Sequence, residues 1–543
     1  MRPLRLEKRG LPVDIAALQE LVERLRPTLG AEDCAKLETA IEALAYLQEL
    51  VADQTMTMEE LRRLVVVQPG TETLRVLLRH AGLEDRDDAS HRPTAPRPPA
   101  PGHGRRSAAM YPGARQIVVP HQTLRSGDRC PECRKGKVYV LREPKRQIRF
   151  VGQAPLAATV YDRERLRCNL CNEVFTAAAP AGVGEEKYDA TAASMIGLLK
   201  YGSGVPFYRV AGLQANLEIP LPPSTQWEIV AETAERLQPV YDELIRQAAQ
   251  GAVLHNDDTH MPVLALRQGT QDAPSATLGR TGLFTSGIVA TRDNQRIALF
   301  FTGRKHAGEN LAAVLAHRAA ELGPPIQMCD AVARNLPRPL EVILANCLAH
   351  GRRQFVDVLP NFPEEGRRVL ETLAEVYRYD ELARERALAP DDRLRFHQTH
   401  SGPVMTALHG WLTAQLDEHQ VEPNSGLGRA IRYLRTHWEP LTLFLRVPGV
   451  PLDNNVAERA LKKSILHRKN SLFYQTQNGA RVGDLFMTLI HTCELCGANP
   501  FDYLTELQRH ATELARHPSA WLPWNYRETL AHTSGAADHG PAP

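Results

Sequence analysis

The segment AVLHNDDTHMPVLAL, residues 252–266, places two adjacent aspartates, Asp257 and Asp258, inside an otherwise apolar run. Its length and composition predict a buried strand. An ionised carboxylate in such a strand is costly unless a cation meets it. Because side chains alternate across a strand, the two aspartates point to opposite faces, and only one of them can join a given site. The strand pattern alone does not say which.

The segments that follow predict the rest of a sheet. GLFTSGIVAT (282–291) and RIALFFTG (296–303) read as strands joined by a turn at Asp293-Asn294. The amphipathic HAGENLAAVLAHRAAEL (306–322) predicts a helix, and PIQMCD (325–330) and EVILANC (341–347) predict two short buried strands. The order β-β-β-α-β-β indicates a mixed α/β layer within a multidomain α+β protein.

Composition excludes several broad classes. The chain of 543 residues is too long for one core, and its 43% hydrophobic and 24% charged residues are typical of globular proteins. A net charge of +2 does not by itself indicate a nucleic-acid partner, so that role must come from local clusters. The start lacks a signal-peptide core, and no run of eighteen apolar residues occurs, which predicts a cytoplasmic protein without membrane spans.

Three regions precede the sheet. Residues 1–90 have helical periodicity, typical of a helical hairpin or a short coiled coil, and residues 91–114 form a Pro/Arg-rich linker. Residues 115–182 contain two cysteine pairs with short β-prone runs between them, and residues 183–250 return to helices. Those helices suit a helix-turn-helix unit that contacts DNA and an ordinary packing domain about equally well.

The cysteine pairs predict structural zinc. CPEC holds Cys130 and Cys133, and CNLC holds Cys168 and Cys171. Two CxxC turns can complete a closed tetrahedral site for Zn²⁺, as in a zinc ribbon. The alternative is four unconnected buried cysteines.

Three carboxylates stand out by position. Asp257 lies in the first predicted strand, Asp330 ends the fourth, and Glu458 lies one turn beyond Asn454 on the helix that follows LDNN, with Asp453 as its candidate N-cap. If they converge at one edge of the sheet, their repulsion requires divalent metal, and hard oxygen ligands suit Mg²⁺ or Mn²⁺. Individually, each could instead be a turn former or a helix start.

Cationic residues follow Glu458 closely. They suit a polyanion whose phosphates are held near the metals, although a solvated helix face would carry the same charges. The set comprises Arg459, Lys462, Lys463, Arg468 and Lys469. Arg481 lies further on, and HGRRQF adds His350, Arg352 and Arg353, of which His350 suits core packing equally well.

Several long segments resemble the transposases of the insertion-sequence-66 family. They are HNDDTHMPVL, CLAHGRRQF, LGRAIRYLRTHWEPLTLFL and LDNNVAERALKKSILHRKNSLF. The resemblance implies an RNase H-like core with a DDE triad at Asp257, Asp330 and Glu458. It also implies that residues 251–355 and 449–500 form the core around a helical insertion at 356–448. A C-terminal helix and disordered tail would occupy 501–543.

The same resemblance implies the function and partners. The protein would bind the terminal repeats of an insertion sequence and target DNA, and would cleave and join strands with Mg²⁺ or Mn²⁺. Because two ends must be paired, we expect at least a homodimer. The resemblance also implies a nucleoid location in bacteria and assistance from accessory proteins encoded by the element. The alternatives are an RNase H-like nuclease or resolvase without strand transfer, and a zinc-ribbon DNA-binding protein whose catalytic core has decayed.

Overall fold

The computed structural model describes residues 117–120, 122–141, 152–184, 186–267, 282–292 and 295–537. The predictions for residues 1–90, the linker at 91–114, the Asp293-Asn294 turn and the tail beyond residue 537 lie outside these ranges. Residues 351–382 and 403–432 form one compact unit, and the rest of the described chain belongs to a larger one. No helix among the described residues is both long and apolar enough to cross a membrane.

The larger unit is built on a five-stranded sheet with the order β5-β4-β3-β6-β7. Strands β3, β4 and β5 are antiparallel neighbours, and β6 and β7 are added parallel to β3. The bounds are β3 Val253–His260, β4 Phe284–Arg292, β5 Gln295–Gly303, β6 Ile326–Cys329 and β7 Ile343–Asn346. The α+β class, the order of the five predicted strands and the helix between the third and the fourth are confirmed, but the first strand ends at His260 and Leu264–Arg267 forms a short helix where strand was predicted.

Helices surround this sheet before and between its strands. They are α1 Ala190–Gly197, which runs into a π-helical turn at Leu198–Gly202, α2 Phe207–Asn216, α3 Pro223–Ala249, α4 Leu264–Arg267 and α5 Ala307–Leu315. Helix α3 has proline at its first position, where the missing N–H costs no intrahelical bond. The helices predicted within residues 183–250 are present, and their role in DNA contact stays a prediction.

Further helices follow the sheet. They are α6 Leu348–Val358, α7 Pro363–Glu385, α8 Pro390–Asp417, α9 Gly426–Thr436, α10 Trp438–Leu441, α11 Asn455–Ser471, α12 Gln477–Leu495, α13 Pro500–Arg509, α14 Ala511–Arg516 and α15 Tyr526–Ala537. The predicted border at residues 355/356 falls inside α6, so the helical insertion begins within a continuous helix. The predicted domain limits otherwise stay predictions.

Helix α12 seals the outer edge of the sheet. Asp484, Thr488 and Thr492 recur every four residues and accept hydrogen bonds from the backbone N–H groups of alternate β5 residues, Thr302, Phe300 and Ala298. Four helical residues rise about 6 Å and two strand residues about 6.6 Å, so the two spacings match closely. The exposed N–H groups that an edge strand would present are satisfied in this way.

The cysteine region contains little regular structure in its described part. Strands β1 Arg165–Arg167 and β2 Val174–Thr176 form a hairpin around the second cysteine pair, and a bridge between Arg129 and Lys137 closes the turn around the first. The β-prone runs at 138–141 and 158–162 contain no strand, so that expectation was wrong. The two strands flank the second CxxC turn, and the β-prone run at 146–151 lies outside the described residues.

Candidate active site

The sheet brings Asp257 and Asp330 to one edge. Strands β3 and β6 are parallel, with Val253 beside Ile326 and His255 beside Met328. Continuing this register by two residues places Asp330, which directly follows β6, level with Asp257. The carboxyl ends of parallel strands meet at the same edge, so this proximity follows from the topology.

A glycine makes room for the third carboxylate. Gly287 of β4 is the direct partner of Asp257 on β3, and the two share a face of the sheet. A Cβ atom on Gly287 would lie 2.9 Å from Cδ2 of Leu461, so the missing side chain lets α11 pack closely on this face. Glu458 precedes Leu461 by about one helical turn on the same helix.

His350 links two of the carboxylates. Its Nδ1 lies 3.0 Å from Oδ1 of Asp330, and its Nε2 lies 3.9 Å from Oε1 of Glu458. The three side chains are each about one quarter exposed, so the site is open to solvent. His350 comes from the first turn of α6, directly after β7, and therefore borders the predicted triad as well as the core.

The electrostatics reflect crowded negative charge. Burial, and to a smaller extent the charge of the neighbouring Asp330, raises the pKa of Asp257 from its usual 3.8 to about 7. Burial lowers the pKa of His350, but its interactions with Asp330 and Cys347 outweigh this effect and raise the pKa to about 11. A protonated His350 therefore supplies a counter-charge to the carboxylates.

The start of α11 is anchored to β3 by Asn454. Its Oδ1 lies 3.1 Å from Nδ1 of the buried His255, and its Nδ2 donates to the carbonyl of Asn256 at 3.1 Å. The prediction that Asp453 is the N-cap was wrong, because Asn454 occupies that position. Asp453 instead accepts from the backbone N–H and the side-chain amide of Asn455. These bonds fix the height of Glu458 against the strand.

Asp258 is committed to the opposite face. Its side chain, 1% exposed, accepts hydrogen bonds from Oγ of Ser286 at 2.7 Å and the backbone N–H of Ala307 at 3.0 Å, and it lies 3.2 Å from Nδ1 of His306. Asn310 in turn donates to Oγ of Ser286. The carboxylate therefore fixes the N-terminus of α5 to the sheet.

The predicted phosphate-binding residues on α11 fall into two groups. Arg468 donates to Oγ1 of Thr259 and to the carbonyl of His260, and Lys463 forms an ion pair with Glu494 at 2.9 Å, so both have partners within the chain. Exposed positions are held by Arg459, Lys462 and Lys469. Arg481 donates to Gln238 and Asn478. Arg352 and Arg353 belong to the smaller unit, and their contact with DNA stays a prediction.

Each cysteine pair forms its own turn. Arg134 N–H donates to the carbonyl of Cys130, and Asn172 N–H donates to that of Cys168. Hydrogen bonds from nearby backbone N–H groups, with a smaller contribution from the other cysteine of each pair, lower the pKa of Cys133 and of Cys168. The structure does not bring three of the four sulfur atoms within 4.8 Å of one another, so the ribbon's zinc site stays a prediction.

Sequence reasoning missed two residues at the site. Cys347 is fully buried, and its Sγ accepts a hydrogen bond from the backbone N–H of Asn454 at 3.2 Å. Tyr433 lies near Cys347. Burial, with a smaller contribution from the charges of Asp330 and Cys347, raises the pKa of Tyr433 to about 12. The CLAH segment contained a signal for the first, because a cysteine three residues before a histidine is a spacing used by metal ligands.

Comparisons with known proteins identify a family for this chain. The sequence model of a family described as "Transposase IS66 family" matches residues 187–482, which is more than half of the chain and includes all three carboxylates. "Uncharacterized protein y4jD" of Sinorhizobium fredii (strain NBRC 101917 / NGR234) is 28% identical over 450 residues, covering 78% of this chain and 84% of its own. "Uncharacterized protein y4qI" of the same strain is 24% identical over 548 residues, covering 95% and 98%.

Proposed function

The chain belongs to the IS66 transposase family, and we propose that it cleaves and joins DNA strands at the ends of an insertion sequence through Asp257, Asp330 and Glu458. The observation that carries the proposal is the position of His350 between two of these carboxylates, 3.0 Å from Asp330 and 3.9 Å from Glu458. The raised pKa of Asp257, caused by burial and then by Asp330, supports its membership of the same cluster. The β5-β4-β3-β6-β7 sheet supports an RNase H-like core.

The donor set suits hard divalent cations. Carboxylates that repel one another at a solvent-exposed edge of the sheet are groups whose charge Mg²⁺ or Mn²⁺ would neutralise. When bound, such ions activate a water or a 3′-hydroxyl and stabilise the leaving oxygen of an in-line phosphoryl transfer. Asp257 would contribute from β3, Asp330 from the end of β6, and Glu458 from α11.

The protein's own residues position the DNA around this centre. Arg459, Lys462 and Lys469 are exposed on the helix that carries Glu458, so phosphates bound to them would lie along the same helix. Arg468 and Lys463 act differently in this proposal, because their partners hold α11 in place. The Asn454 contacts with His255 and Asn256 maintain the register between that helix and β3.

The regions before the sheet would recognise the element ends. We place this role on a ribbon in which Cys130, Cys133, Cys168 and Cys171 bind Zn²⁺, together with the helices of residues 183–250. Two ends must be paired, so a homodimer or larger assembly at the nucleoid is part of the proposal, as is assistance from other proteins of the element. A Cys168→Ser variant should then bind end DNA more weakly in a gel-shift assay, while unchanged binding would remove the ribbon from recognition.

A strand-transfer assay tests the proposal. Labelled duplexes ending in the element's terminal repeat with a free 3′-hydroxyl are incubated with the full chain, Mg²⁺ and supercoiled plasmid. Covalent joining of label to plasmid, lost in Glu458→Gln, is expected. Nicking without joining would favour a nuclease or resolvase, and end binding without either reaction would favour a decayed catalytic core.

A further inference from the structure

The CLAH segment places a thiol and an imidazole beside one of the carboxylates. Cys347 is the single residue between β7 and α6, and His350 lies three residues later in the first turn of α6. One donor atom from each of Asp330, Cys347 and His350 lies within 4.8 Å of the other two. Among the described residues, this is the one such group of three or more histidine, cysteine or acidic side chains.

We propose that Asp330, Cys347 and His350 form a binding site for a thiophilic divalent cation of the zinc class, separate in chemistry from the hard carboxylate site. Sulfur and imidazole ligands select such cations over Mg²⁺, which prefers oxygen donors and retains water. Three protein ligands leave a fourth tetrahedral position for water or another oxygen.

The distances suit a shared cation. Oδ1 of Asp330 and Nδ1 of His350 lie 3.0 Å apart. Zinc bonds to oxygen and nitrogen of about 2.0–2.2 Å at a tetrahedral angle would separate the two ligand atoms by roughly 3.3 Å. Only a few tenths of an ångström of movement are therefore needed to admit the ion.

Within the described part of the chain, neither of these two atoms forms a well-directed hydrogen bond, and the cation would replace the His350 proton that otherwise balances Asp330. Both are buried, and despite their closeness neither has a hydrogen-bond partner of suitable geometry among the residues that the structure describes. Buried polar atoms without partners are uncommon and require an explanation, such as an ion. Two of them directed at each other, with a sulfur alongside, indicate where that ion would bind.

Neighbouring residues orient Cys347 and His350. The backbone N–H of Asn454 donates to Sγ of Cys347 at 3.2 Å, which holds the sulfur in place beside the other two ligands. Nε2 of His350 faces Oε1 of Glu458 at 3.9 Å, so the imidazole can bind the cation through Nδ1 while a carboxylate orients its other nitrogen. A carboxylate behind a ligating histidine is a common feature of zinc sites.

The soft site and the proposed catalytic site share carboxylates, an inference that rests on the proposed function. Asp330 would be a ligand in both sites, and Glu458 would orient His350 in one site and bind metal in the other. A zinc-class cation would therefore compete with Mg²⁺ for the same carboxylates. The soft site itself does not depend on transposition.

The test uses CoCl₂ as the probe with the full-length protein. Thiolate ligands give Co²⁺ an intense charge-transfer absorption, and the predicted ribbon would contribute equally to every variant with its cysteines intact. Cys347→Ser keeps an acceptor for the Asn454 N–H and should lose part of this absorption. It should also bind about one zinc ion less per chain. Cys493→Ser, at a fully buried cysteine on α12 away from the cluster, is the matched control and should match wild type.

A second variant shows whether a loss of bound metal comes from a lost ligand or from misfolding. His350→Gln, at a partly exposed position, should show the same loss of bound Zn²⁺ while retaining the wild-type circular dichroism spectrum. Wild-type Co²⁺ absorption and zinc content in both variants would overturn the proposal. Asp257→Asn separates the two proposals: it should abolish Mg²⁺-dependent strand transfer yet keep the soft site. If transfer survived in that variant, the proposed function would fail and the Co²⁺ result would still stand.

Discussion

The two faces of strand β3 hold adjacent aspartates in opposite electrostatic settings. Asp258 receives hydrogen bonds from Ser286 and Ala307 and lies against His306, so its charge is balanced by donors within the fold. Asp257 lies near another carboxylate, and burial together with that charge raises its pKa to about 7. The difference shows how one strand can place one carboxylate among donors that stabilise the fold and the next among like charges on the opposite face.

Activity should separate the two residues most strongly. Asp257→Asn removes a proposed metal ligand and should lower the rate of end cleavage at least about a thousandfold. Asp258→Asn should retain cleavage per folded molecule, because its contacts lie on the other face. Single-turnover rates corrected for the folded fraction check this. Equal losses of rate in the two variants would contradict the assignment of Asp257, and not Asp258, to the active site.

Stability should separate them in the reverse direction. Asp258→Ala leaves the Ser286 hydroxyl and the Ala307 N–H without their buried acceptor, which should cost roughly 2–4 kcal/mol of the free energy of unfolding. Asp257→Asn should cost little at pH 8, since it removes a repulsive charge. Urea denaturation in the absence of divalent metal measures both values. Greater destabilisation by Asp257→Asn would show that Asp257 has a structural role.

The pH dependence should sharpen the contrast by adding Asp484. Burial raises the pKa of Asp484 to about 7, partly offset by its hydrogen bonds from Thr302. A carboxyl whose folded pKa exceeds its unfolded value of 3.8 binds a proton more tightly when folded, so stability falls as pH rises from about 4 to about 7.

Both Asp257 and Asp484 should contribute to that fall, and divalent metal should distinguish them. Thermal melting from pH 4 to 8 should show a smaller decline when Mn²⁺ is present, because Mn²⁺ stabilises ionised Asp257. In Asp257→Asn the metal should change the profile little, whereas in Asp484→Asn it should still act. A metal effect that persists in full without Asp257 would contradict its assignment.

Much of the fold follows from local sequence patterns. The β-β-β-α-β-β order was predictable because strand and helix periods differ and turns separate them, and the level of Asp330 with Asp257 follows from two parallel strands. The role of Asp258 was not predictable, because its partners lie 28, 48 and 49 residues away. The buried hydrogen bonds of Asp258 indicate a structural cost of replacing it that the strand pattern did not reveal.

Part of the site was predictable from local sequence patterns, and part of it depends on contacts between distant residues. Spacing identified Asp257, Asp330 and Glu458 as candidates, but the buried Cys347 is defined by a backbone N–H of Asn454, 107 residues away. The cap of α11 was misplaced by one residue, since Asp453 and Asn454 are both good caps and the tertiary contacts of Asn454 decide between them.

The smallest expected effect concerns the basic residues of α11. Lys462 is exposed, whereas Lys463 is paired with Glu494. Lys462→Gln should reduce the salt dependence of end binding by roughly 0.9 in the slope of log K against log salt, the value for one lost phosphate contact. Lys463→Gln is the matched control and should change it less. Equal slopes for wild type and Lys462→Gln would exclude this lysine from phosphate contact.

The most direct test of the central assignment is Mn²⁺ binding to the full-length protein, measured by electron paramagnetic resonance. Wild type and Asp258→Asn should bind the ion alike once both are folded, and Asp257→Asn and Glu458→Gln should each bind it at least about tenfold more weakly. If Asp257→Asn bound Mn²⁺ as tightly as wild type, the carboxylates on this face of β3 would not be the metal site.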